Sequence, residues 1–297
     1  MKELVGNRER SDIDLLAAKI LRDLGNPKPP LRLDDVRQLL ALNLKYYSST
    51  DVTPLAEFAH RIKIAGKQLI AMPSAILDVV KKANLSGLWV PDERKIFIDQ
   101  TQPEKKHRWI EAHEISHSFV PWHNQFLLGD DALTLDPHCH AIIEAEANYG
   151  AGRLLFMGDQ FVADAKDCDP NFKNIKKLHS YYGNTLTSTF WRFVEERDPD
   201  VPAFGMISQH PRYNDIGQGT EGEPVHRFVP NAAFRRRFSS TTASDIYLLV
   251  ARNCGWNRRG PVIEGLDQIM DITGSVTSFV LDGFCNSYHV LTYGRAR

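Results

Sequence analysis

The stretch that decides the fold is Thr101–His123, TQPEKKHRWIEAHEISHSFVPWH, which carries His113, Glu114 and His117 in the spacing His-Glu-x-x-His. On a helix, two histidines four residues apart project from one face, one turn apart, and can share a metal ion. Glu114 can then reach a water molecule on that ion. Zinc lowers the pKa of such a water to about 7, so a nearby carboxylate can take its proton. The pattern predicts a site suited to amide hydrolysis.

The residues around the motif favour a helix that is largely buried. Thr101 and Glu104 have the spacing of an N-terminal capping box, and Pro103 falls in the first turn, where proline is tolerated. Six residues between positions 109 and 120 are apolar, namely Trp109, Ile110, Ala112, Ile115, Phe119 and Val120, and Pro121 stops the helix. The alternative interpretation is a pair of ordinary core or surface histidines.

Composition bounds the class of protein. The 297 residues are 42% hydrophobic and 25% charged, which is ordinary for one elaborated globular domain or two. The net charge of −1 argues against a general nucleic-acid-binding surface. We find no membrane-spanning run, no signal-peptide core in the first residues and no Cys-x-x-Cys pair among the four cysteines. We therefore expect a cytoplasmic protein with reduced thiols.

Upstream of the motif, periodicity predicts two helices, a strand, a longer helical stretch and a hairpin. In chain order these are expected over Ser11–Leu24 with Ser11 as the cap, Leu33–Leu42, Leu42–Tyr47, Val52–Ala83, and Leu88–Val90 paired with Lys95–Ile98. The hairpin directly precedes the motif. It matters for function because an exposed edge strand can bind an extended peptide.

A second helix, predicted over Pro137–Met157, supplies the candidate third ligand. Glu144 and Asn148 lie four apart on one face of it, whereas Glu146 is turned about 200° from Glu144 and cannot face the same ion. We take Glu144 as the ligand. The alternative is a solvated helix glutamate.

Small residues on this second helix predict that it lies close to the first. Ala147 and Ala151 share the face of Glu144. Gly150 and Gly152 each cost about 1 kcal/mol relative to alanine inside a helix, and such a cost needs a reason, for example tight packing.

The remainder of the chain predicts two short helices and a separate module. The helices, Asn171–Tyr182 and Leu186–Glu196, form either a helix-turn-helix or, more commonly, a packing pair. A boundary is expected at Asp198–Pro202, and lysine is absent after Lys177. Strand-like runs beyond the boundary predict a mixed α/β module over 199–297, at Val225–Val229, Ile246–Ala251, Val276–Leu281 and Tyr288–Tyr293.

Several of these segments together resemble the ImmA/IrrE family of metallopeptidases. The matching segments are Gly87-Leu-Trp, Arg94–Ile98, Trp109–His117 and Glu144–Asn148 followed by Ala151 and Leu154-Leu155. The family's Glu-x-x-Ala-Asn signature supports Glu144 as the ligand and puts Glu146 at a variable position. Where the family continues Phe-Ala-Ala-x-Leu-Leu-Met-Pro, this chain has Gly150–Met157, a departure in helix packing and in the final turn.

The resemblance implies a fold, a cofactor and a partner. The fold is α+β, with a zincin-like metallopeptidase domain over 1–198, including the helical pair at 171–198, and a sensor- or partner-binding-like module over 199–297. One Zn²⁺ per chain is expected on His113, His117 and Glu144, with Mn²⁺ or Fe²⁺ as alternatives. The implied substrate is a helix-turn-helix repressor, in a bacterial or phage regulatory or stress response.

In this hypothesis Glu114 is the general base and then the acid towards the leaving amine, and a further donor stabilises the oxyanion. Six residues are candidates for that donor: His123, Tyr149, Arg153, His179, Tyr181 and Tyr182. Other features have weaker functional interpretations: His138-Cys139-His140 as a metal site and Arg235–Arg237 as a phosphate contact.

Two rival functions remain at this point. One is a regulator of the same fold that binds a repressor without cutting it, although such a protein would have no chemical need for Glu114. The other is direct DNA binding through Asn171–Glu196, against which the mixed charges of that segment argue.

Overall fold

The computed structural model describes residues 5–48, 86–91, 94–123, 137–217 and 223–297. The chain divides into two compact units, an amino-terminal unit (Met1–Gly158) and a carboxy-terminal unit (Asp159–Arg297). Each combines helices with a sheet, which confirms the expected mixture of helices and small sheets. None of the described helices is long and apolar enough to cross a membrane.

The amino-terminal unit contains the motif helix. Its described elements are α1 (Asn7–Asp23), α2 (Leu33–Leu39), β1 (Asn43–Tyr47), β2 (Gly87–Val90), β3 (Lys95–Asp99), α3 (Glu104–Phe119) and α4 (Pro137–Leu155). The prediction for Val52–Ala83 lies outside the described residues.

The small sheet has the order β1-β3-β2 and confirms the predicted hairpin. β2 runs antiparallel to β3, and β1 runs parallel to it. Ile96, Phe97 and Ile98 are buried because the central strand has a neighbour on each side. Both β2 and β3 contact α3, so the sheet supports the helix that carries His113 and His117.

Two predicted helix starts in this unit are wrong. α1 begins at Asn7, with Gly6 as its N-cap, so Ser11 lies inside the helix. The apolar pattern starts only at Ile13, and the polar first turn precedes it. The capping box at the start of α3 does not form either. The N-cap of α3 is Pro103, and the hydroxyl of Thr101 donates to Asp99 instead, at 2.7 Å.

The carboxy-terminal unit is a five-stranded antiparallel sheet with helices. Its described elements are α5 (Asp159–Lys166), α6 (Phe172–Tyr182), α7 (Leu186–Glu196), β4 (Ala203–Ser208), β5 (Val225–Pro230), α8 (Ala232–Arg237), α9 (Ala243–Asn253), β6 (Gly260–Met270), β7 (Val276–Cys285) and β8 (Val290–Ala296). The strand order is β5-β4-β8-β7-β6.

Aromatic residues fill the core between this sheet and the helices α8 and α9. Phe279 on β7 lies against Phe204, Phe234 and Phe238, with ring centroids 5.8, 5.8 and 5.3 Å away. The other face of the sheet receives α7. A β-carbon at Gly205 would lie 2.8 Å from the ring of Phe190, so the strand and α7 are in close contact.

The two predicted short helices pack on this sheet. Asn171 and Thr185 cap α6 and α7 with side-chain hydrogen bonds. Phe172 stacks on Phe284 of β7, and its backbone N–H donates to Asp282 at 2.6 Å. These contacts explain why the division between the units falls at residue 158, before the boundary expected at residue 198.

One predicted strand in this unit is a helix. Ile246–Ala251 lies within α9, because Thr242 and Asp245 form a capping box and Ile246, Leu249 and Val250 then share a buried face. The predictions also lacked β4 and β6. The strands expected at Val225–Val229, Val276–Leu281 and Tyr288–Tyr293 are present as β5, β7 and β8, with somewhat shifted bounds.

Candidate metal centre

Three predicted ligand atoms converge at one point between α3 and α4. Nε2 of His113 lies 3.2 Å from Nε2 of His117. Oε2 of Glu144 lies 3.2 Å from the first of these nitrogens, and Oε1 lies 3.6 Å from the second. All three residues can hold one ion, and Glu144 has the most exposed side chain at 41%. The cluster is therefore open to solvent on the Glu144 side.

The spacing of these atoms fits a tetrahedral ion. Zinc lies about 2.0–2.2 Å from imidazole nitrogens and carboxylate oxygens, so two ligand atoms on a tetrahedron are roughly 3.3–3.5 Å apart. The two nitrogens are 3.2 Å apart, and each lies 3.2 or 3.6 Å from its nearer oxygen of Glu144, which is close to that spacing. The donor set of two imidazoles and one carboxylate leaves a fourth position for water, as in catalytic zinc sites.

The tautomer of His113 follows from its other neighbour. Nδ1 of His113 lies 3.2 Å from Oδ1 of Asn148, whose Nδ2 donates to the carbonyl oxygen of Glu144 at 2.8 Å. The amide oxygen must therefore accept, so Nδ1 of His113 carries a proton and Nε2 offers its lone pair to the cluster. Asn148 thus directs the lone pair of His113 towards the cluster.

His117 has a longer chain of partners. Its Nδ1 lies 3.0 Å from Nδ1 of His123, and Nε2 of His123 lies 2.9 Å from Oε2 of Glu146. The same oxygen accepts a hydrogen bond from Nε1 of Trp122 at 2.7 Å. His123 and Glu146 are 0% and 3% exposed, so the chain is inside the protein. It contacts the side of His117 that faces away from the ligand cluster.

This chain is the part of the site that the sequence predictions missed. His123 was a candidate oxyanion donor, but it lies behind His117 rather than over the ligand atoms. Glu146 was predicted to face away from the ion that Glu144 faces, and the structure agrees. Its buried position beside Trp122 was not predicted. The signal available in the sequence was Pro121, because α3 ends just before it, at Phe119, and the helical turn of residues 121–123 brings His123 next to His117.

Glu114 is buried against the edge of the small sheet. It is 6% exposed, and the backbone N–H of Trp89 on β2 donates a hydrogen bond to it. A β-carbon at Gly87 would lie 2.5 Å from Oε1 of Glu114 and 2.7 Å from a methyl group of Ile110. Only glycine at position 87 lets β2 lie this close to α3.

Electrostatics separate the two carboxylates. Burial raises the pKa of Glu114, although His113 and His117 partly oppose the rise. Burial also acts to raise the pKa of Glu144, but the two imidazoles that face it, His113 and His117, outweigh this effect and lower that pKa. Glu144 is therefore an anion suited to hold a cation, whereas Glu114 has a carboxylate with a higher affinity for a proton.

The imidazoles also differ. Burial opposes protonation of His113, but Glu144, Glu114 and Asn148 outweigh this effect and its pKa is raised. Burial, followed by the nearby His117, lowers the pKa of His123 to about 3. His123 is therefore neutral at ordinary pH, in keeping with one N–H that donates and one nitrogen that accepts.

The small residues Ala147, Gly150 and Ala151 lie where α4 packs closely on α3, as predicted. A β-carbon at Gly150 would lie 2.1 Å from Oγ of Ser116 and 3.1 Å from the ring of Phe119. Ala147 and Ala151 are fully buried. The glycine lets the two ligand-bearing helices approach closely enough for Glu144 to meet the histidines.

The other oxyanion candidates have partners of their own. The hydroxyl of Tyr149 donates to Asp14 at 3.0 Å, and Arg153 forms an ion pair with the same carboxylate at 2.7 Å. The remaining three candidates belong to the carboxy-terminal unit. There, Nδ1 of His179 lies 2.5 Å from the carbonyl oxygen of Asn184, Tyr182 donates to Asp164, and Tyr181 is exposed.

Two weaker candidates can also be placed. In His138-Cys139-His140, at the start of α4, Cys139 is a partly buried free thiol, and the imidazoles lie outside the described side chains. In Arg235–Arg237, the guanidinium of Arg237 is paired with Asp271 at 2.8 Å and with the hydroxyl of Thr277 at 2.8 Å. Arg237 therefore fastens α8 to the β6–β7 hairpin.

Comparison with known proteins gives similarities at two levels. No protein-family model matches the chain. Over 141 residues it is 28% identical to the radiation response metalloprotease IrrE of Deinococcus deserti, an alignment covering 45% of this chain and 47% of the relative. The chain therefore spans about half the length of the curated relative it matches.

A solved structure of a Mycobacterium tuberculosis transcriptional regulator matches with a TM-score of 0.52 and 11% sequence identity. The match covers 96% of this chain and 75% of that chain. At this identity the similarity concerns the fold alone.

Proposed function

We propose that this chain is a zincin-like metallopeptidase that hydrolyses a peptide bond in a protein substrate. The observation that carries the proposal is the convergence of two imidazole Nε2 atoms and the Glu144 carboxylate. Asn148 leaves Nε2 of His113 as an acceptor, and His117 also turns its Nε2 towards the carboxylate. The three ligand atoms lie within 4.8 Å of one another, and such groups repel unless a cation or a proton lies between them. The similarity to a metalloprotease supports the same conclusion.

His113, His117 and Glu144 would hold the ion, for which zinc is the expected choice and Mn²⁺ or Fe²⁺ the alternatives. When bound, zinc supplies Lewis-acid activation of a water molecule and of the scissile carbonyl.

Glu114 is the general base of this proposal. Its raised pKa suits it to take a proton from the attacking water and return it to the leaving amine nitrogen. The N–H of Trp89 fixes its orientation, so that the carboxylate need not be reoriented during the reaction.

The edge of β2 is the proposed place for an extended substrate. Asp99 N–H donates to Ser86 at 2.9 Å, so the hydrogen-bonding groups of Leu88 and Val90 face β3 and those of Gly87 and Trp89 face the other way. No described strand occupies that edge. The N–H of Trp89 on this edge already donates to Glu114, so a peptide lying there would pair with the remaining groups of the edge and would lie beside Glu114.

The proposed substrate is a helix-turn-helix repressor, as the resemblance to the ImmA/IrrE family implies. The name of the Deinococcus relative, a radiation response metalloprotease, supports a role in a stress response. The alternative is a regulator that binds a repressor without cutting it. The match to a solved transcriptional regulator is one of fold and does not decide between the two functions, whereas the retained Glu114 favours the peptidase.

The test is cleavage of a helix-turn-helix repressor encoded beside this chain, with fragments identified by mass spectrometry. We expect the wild type, loaded with zinc, to cut at a defined bond. Glu114→Gln should still bind zinc, but its cleavage rate should be about 10²–10⁴-fold lower. Glu111→Gln is the matched control, since Glu111 lies on the same helix but pairs with Arg37 at 2.7 Å.

The control should cut like the wild type. Repressor binding by the wild type with no fragments would instead favour the non-cutting regulator. Equal rates for Glu114→Gln and the wild type would remove the proposed base.

A further inference from the structure

Every hydrogen bond behind His117 is satisfied by donation in one direction, towards Glu146. Oε2 of Glu146 already accepts from Nε1 of Trp122, and as an acceptor it pairs with an N–H on Nε2 of His123, 2.9 Å away. Nδ1 of the neutral His123 then has a lone pair and accepts from Nδ1 of His117 at 3.0 Å. Nε2 of His117 is left with its lone pair towards His113 and Glu144.

Burial of the hydrogen-bonded series from His117 through His123 to Glu146 costs folding free energy, which suggests that the series has a function. His123 is fully buried and Glu146 is 3% exposed. A carboxylate in such a place requires strong partners, and an apolar pair of similar volume would stabilise the fold at least as well. Both donors to Oε2 of Glu146 come from the two residues after Pro121, Trp122 and His123. The turn after α3 is therefore bonded to α4 through this carboxylate.

The two histidine ligands differ in what supports them. His113 is held by the neutral amide of Asn148 at 3.2 Å, whereas the chain behind His117 ends in a carboxylate. A carboxylate behind an imidazole fixes its tautomer and increases its basicity as a ligand. His117 should therefore be the stronger of the two nitrogen donors.

We infer that His123 and Glu146 are positioning residues, which hold His117 in the tautomer and ring orientation that bind the metal and pass to it part of the charge of Glu146. The inference rests on the proposed function of the site. It assigns to His123 a role different from that of an oxyanion donor, and gives Glu146 a role although it is no ligand.

The first test measures zinc affinity by competition with a chelator. His123→Phe keeps the ring volume but removes the acceptor, and we expect it to weaken zinc binding about 10–100-fold. Glu146→Gln keeps the hydrogen-bonding oxygen but removes the charge, and should weaken it by a smaller factor. Tyr149→Phe is the control, because it removes a hydrogen bond to Asp14 from the same helix and should leave the affinity within about twofold.

The second test uses the wild type and does not depend on the folding of a variant. Nuclear magnetic resonance of the zinc-loaded protein, labelled with ¹⁵N in its histidines, should place a proton on Nδ1 of His117 and on Nε2 of His123. A proton on Nδ1 of His123 would overturn the inference. So would zinc affinity in His123→Phe equal to that of the Tyr149→Phe control.

Failure of the underlying function gives a different result. A wild type that binds no zinc overturns the proposed metal site itself. Zinc binding by the wild type with undiminished affinity in His123→Phe overturns only the positioning role.

Discussion

The two units of this chain differ in how they use their most deeply buried polar groups. In the amino-terminal unit, buried ionisable side chains bond to one another, from His117 through His123 to Glu146. In the carboxy-terminal unit, Asn231 is fully buried and all its bonds go to backbone groups. The guanidinium of Arg197 donates to the carbonyl oxygens of Ala165 and Cys168 and also pairs with the more exposed Asp198.

The difference between the buried polar groups of the two units indicates that the functional site lies in the amino-terminal unit. Polar groups that satisfy the backbone stabilise a fold, whereas ionisable groups buried together cost free energy and are retained where a site needs them. In the carboxy-terminal unit, Arg197, Asp198 and Arg295 are in contact, but the carboxylate of Asp198 is 22% exposed, against 4% for Glu146. We therefore expect substitutions there to change stability, and substitutions around Glu144 to change metal binding.

The largest expected effect is in the aromatic core. Phe279→Ala removes a fully buried ring in contact with three other rings and should lower the free energy of unfolding by about 3–5 kcal/mol. Urea unfolding followed by circular dichroism measures the loss. Zinc affinity of the folded variant should stay within about twofold of the wild type. A large drop in affinity would contradict the division between the two units.

A smaller effect is expected where the two ligand helices touch. Gly150→Ala gains about 1 kcal/mol of helix propensity. The added carbon would lie 2.1 Å from Ser116, and such overpacking costs about 1–3 kcal/mol, so we expect net destabilisation and weaker zinc binding.

Ser116→Ala provides the check on that prediction. It removes the oxygen that the new carbon meets and should restore most of the stability and zinc affinity of Gly150→Ala. Ser116 Oγ has no hydrogen-bond partner among the described residues, so the single variant should lie within about 1 kcal/mol of the wild type. A net gain in stability from Gly150→Ala alone would mean that α3 and α4 can move apart.

The last expected effect is that of pH on metal binding. The pKa of His113 is raised above its ordinary value of 6.5, so below the raised pKa a proton competes for the site. Zinc affinity should be constant above that pKa and fall about tenfold per pH unit per displaced proton below it. His123, with a pKa of about 3, adds no proton above pH 5. Chelator competition between pH 5 and 8 measures the slope, and a flat profile would exclude His113 as a ligand.

Local spacing was enough to predict the motif helix and the meeting of His113, His117 and Glu144. It was not enough for the chain behind His117. The 200° between Glu144 and Glu146 around the helix correctly predicted that the two side chains point in different directions. The contacts of Glu146, however, depend on the path of the polypeptide after Pro121. That return is a tertiary feature, since Trp122 and His123 are remote in sequence from Glu146.

The errors in the carboxy-terminal unit have a similar cause. The run Ile246–Ala251 is apolar at nearly every position, so its period did not distinguish a strand from a helix, and the capping box at Thr242 decided it. β4 is buried at all six positions and contains Gly205, so it lacks the alternation that marks a half-exposed strand.

Because Gly87 has no side chain, one strand can align both the substrate peptide and the side chain of Glu114. Because β2 lies so near α3 that its own N–H orients Glu114, a peptide laid along this strand is positioned by the same backbone that positions the base. Sliding such a peptide by two residues would move it about 7 Å and present a different bond to the carboxylate. The choice of the cleaved bond would then depend on the register in which the peptide pairs with β2 as much as on the side chains that flank the bond.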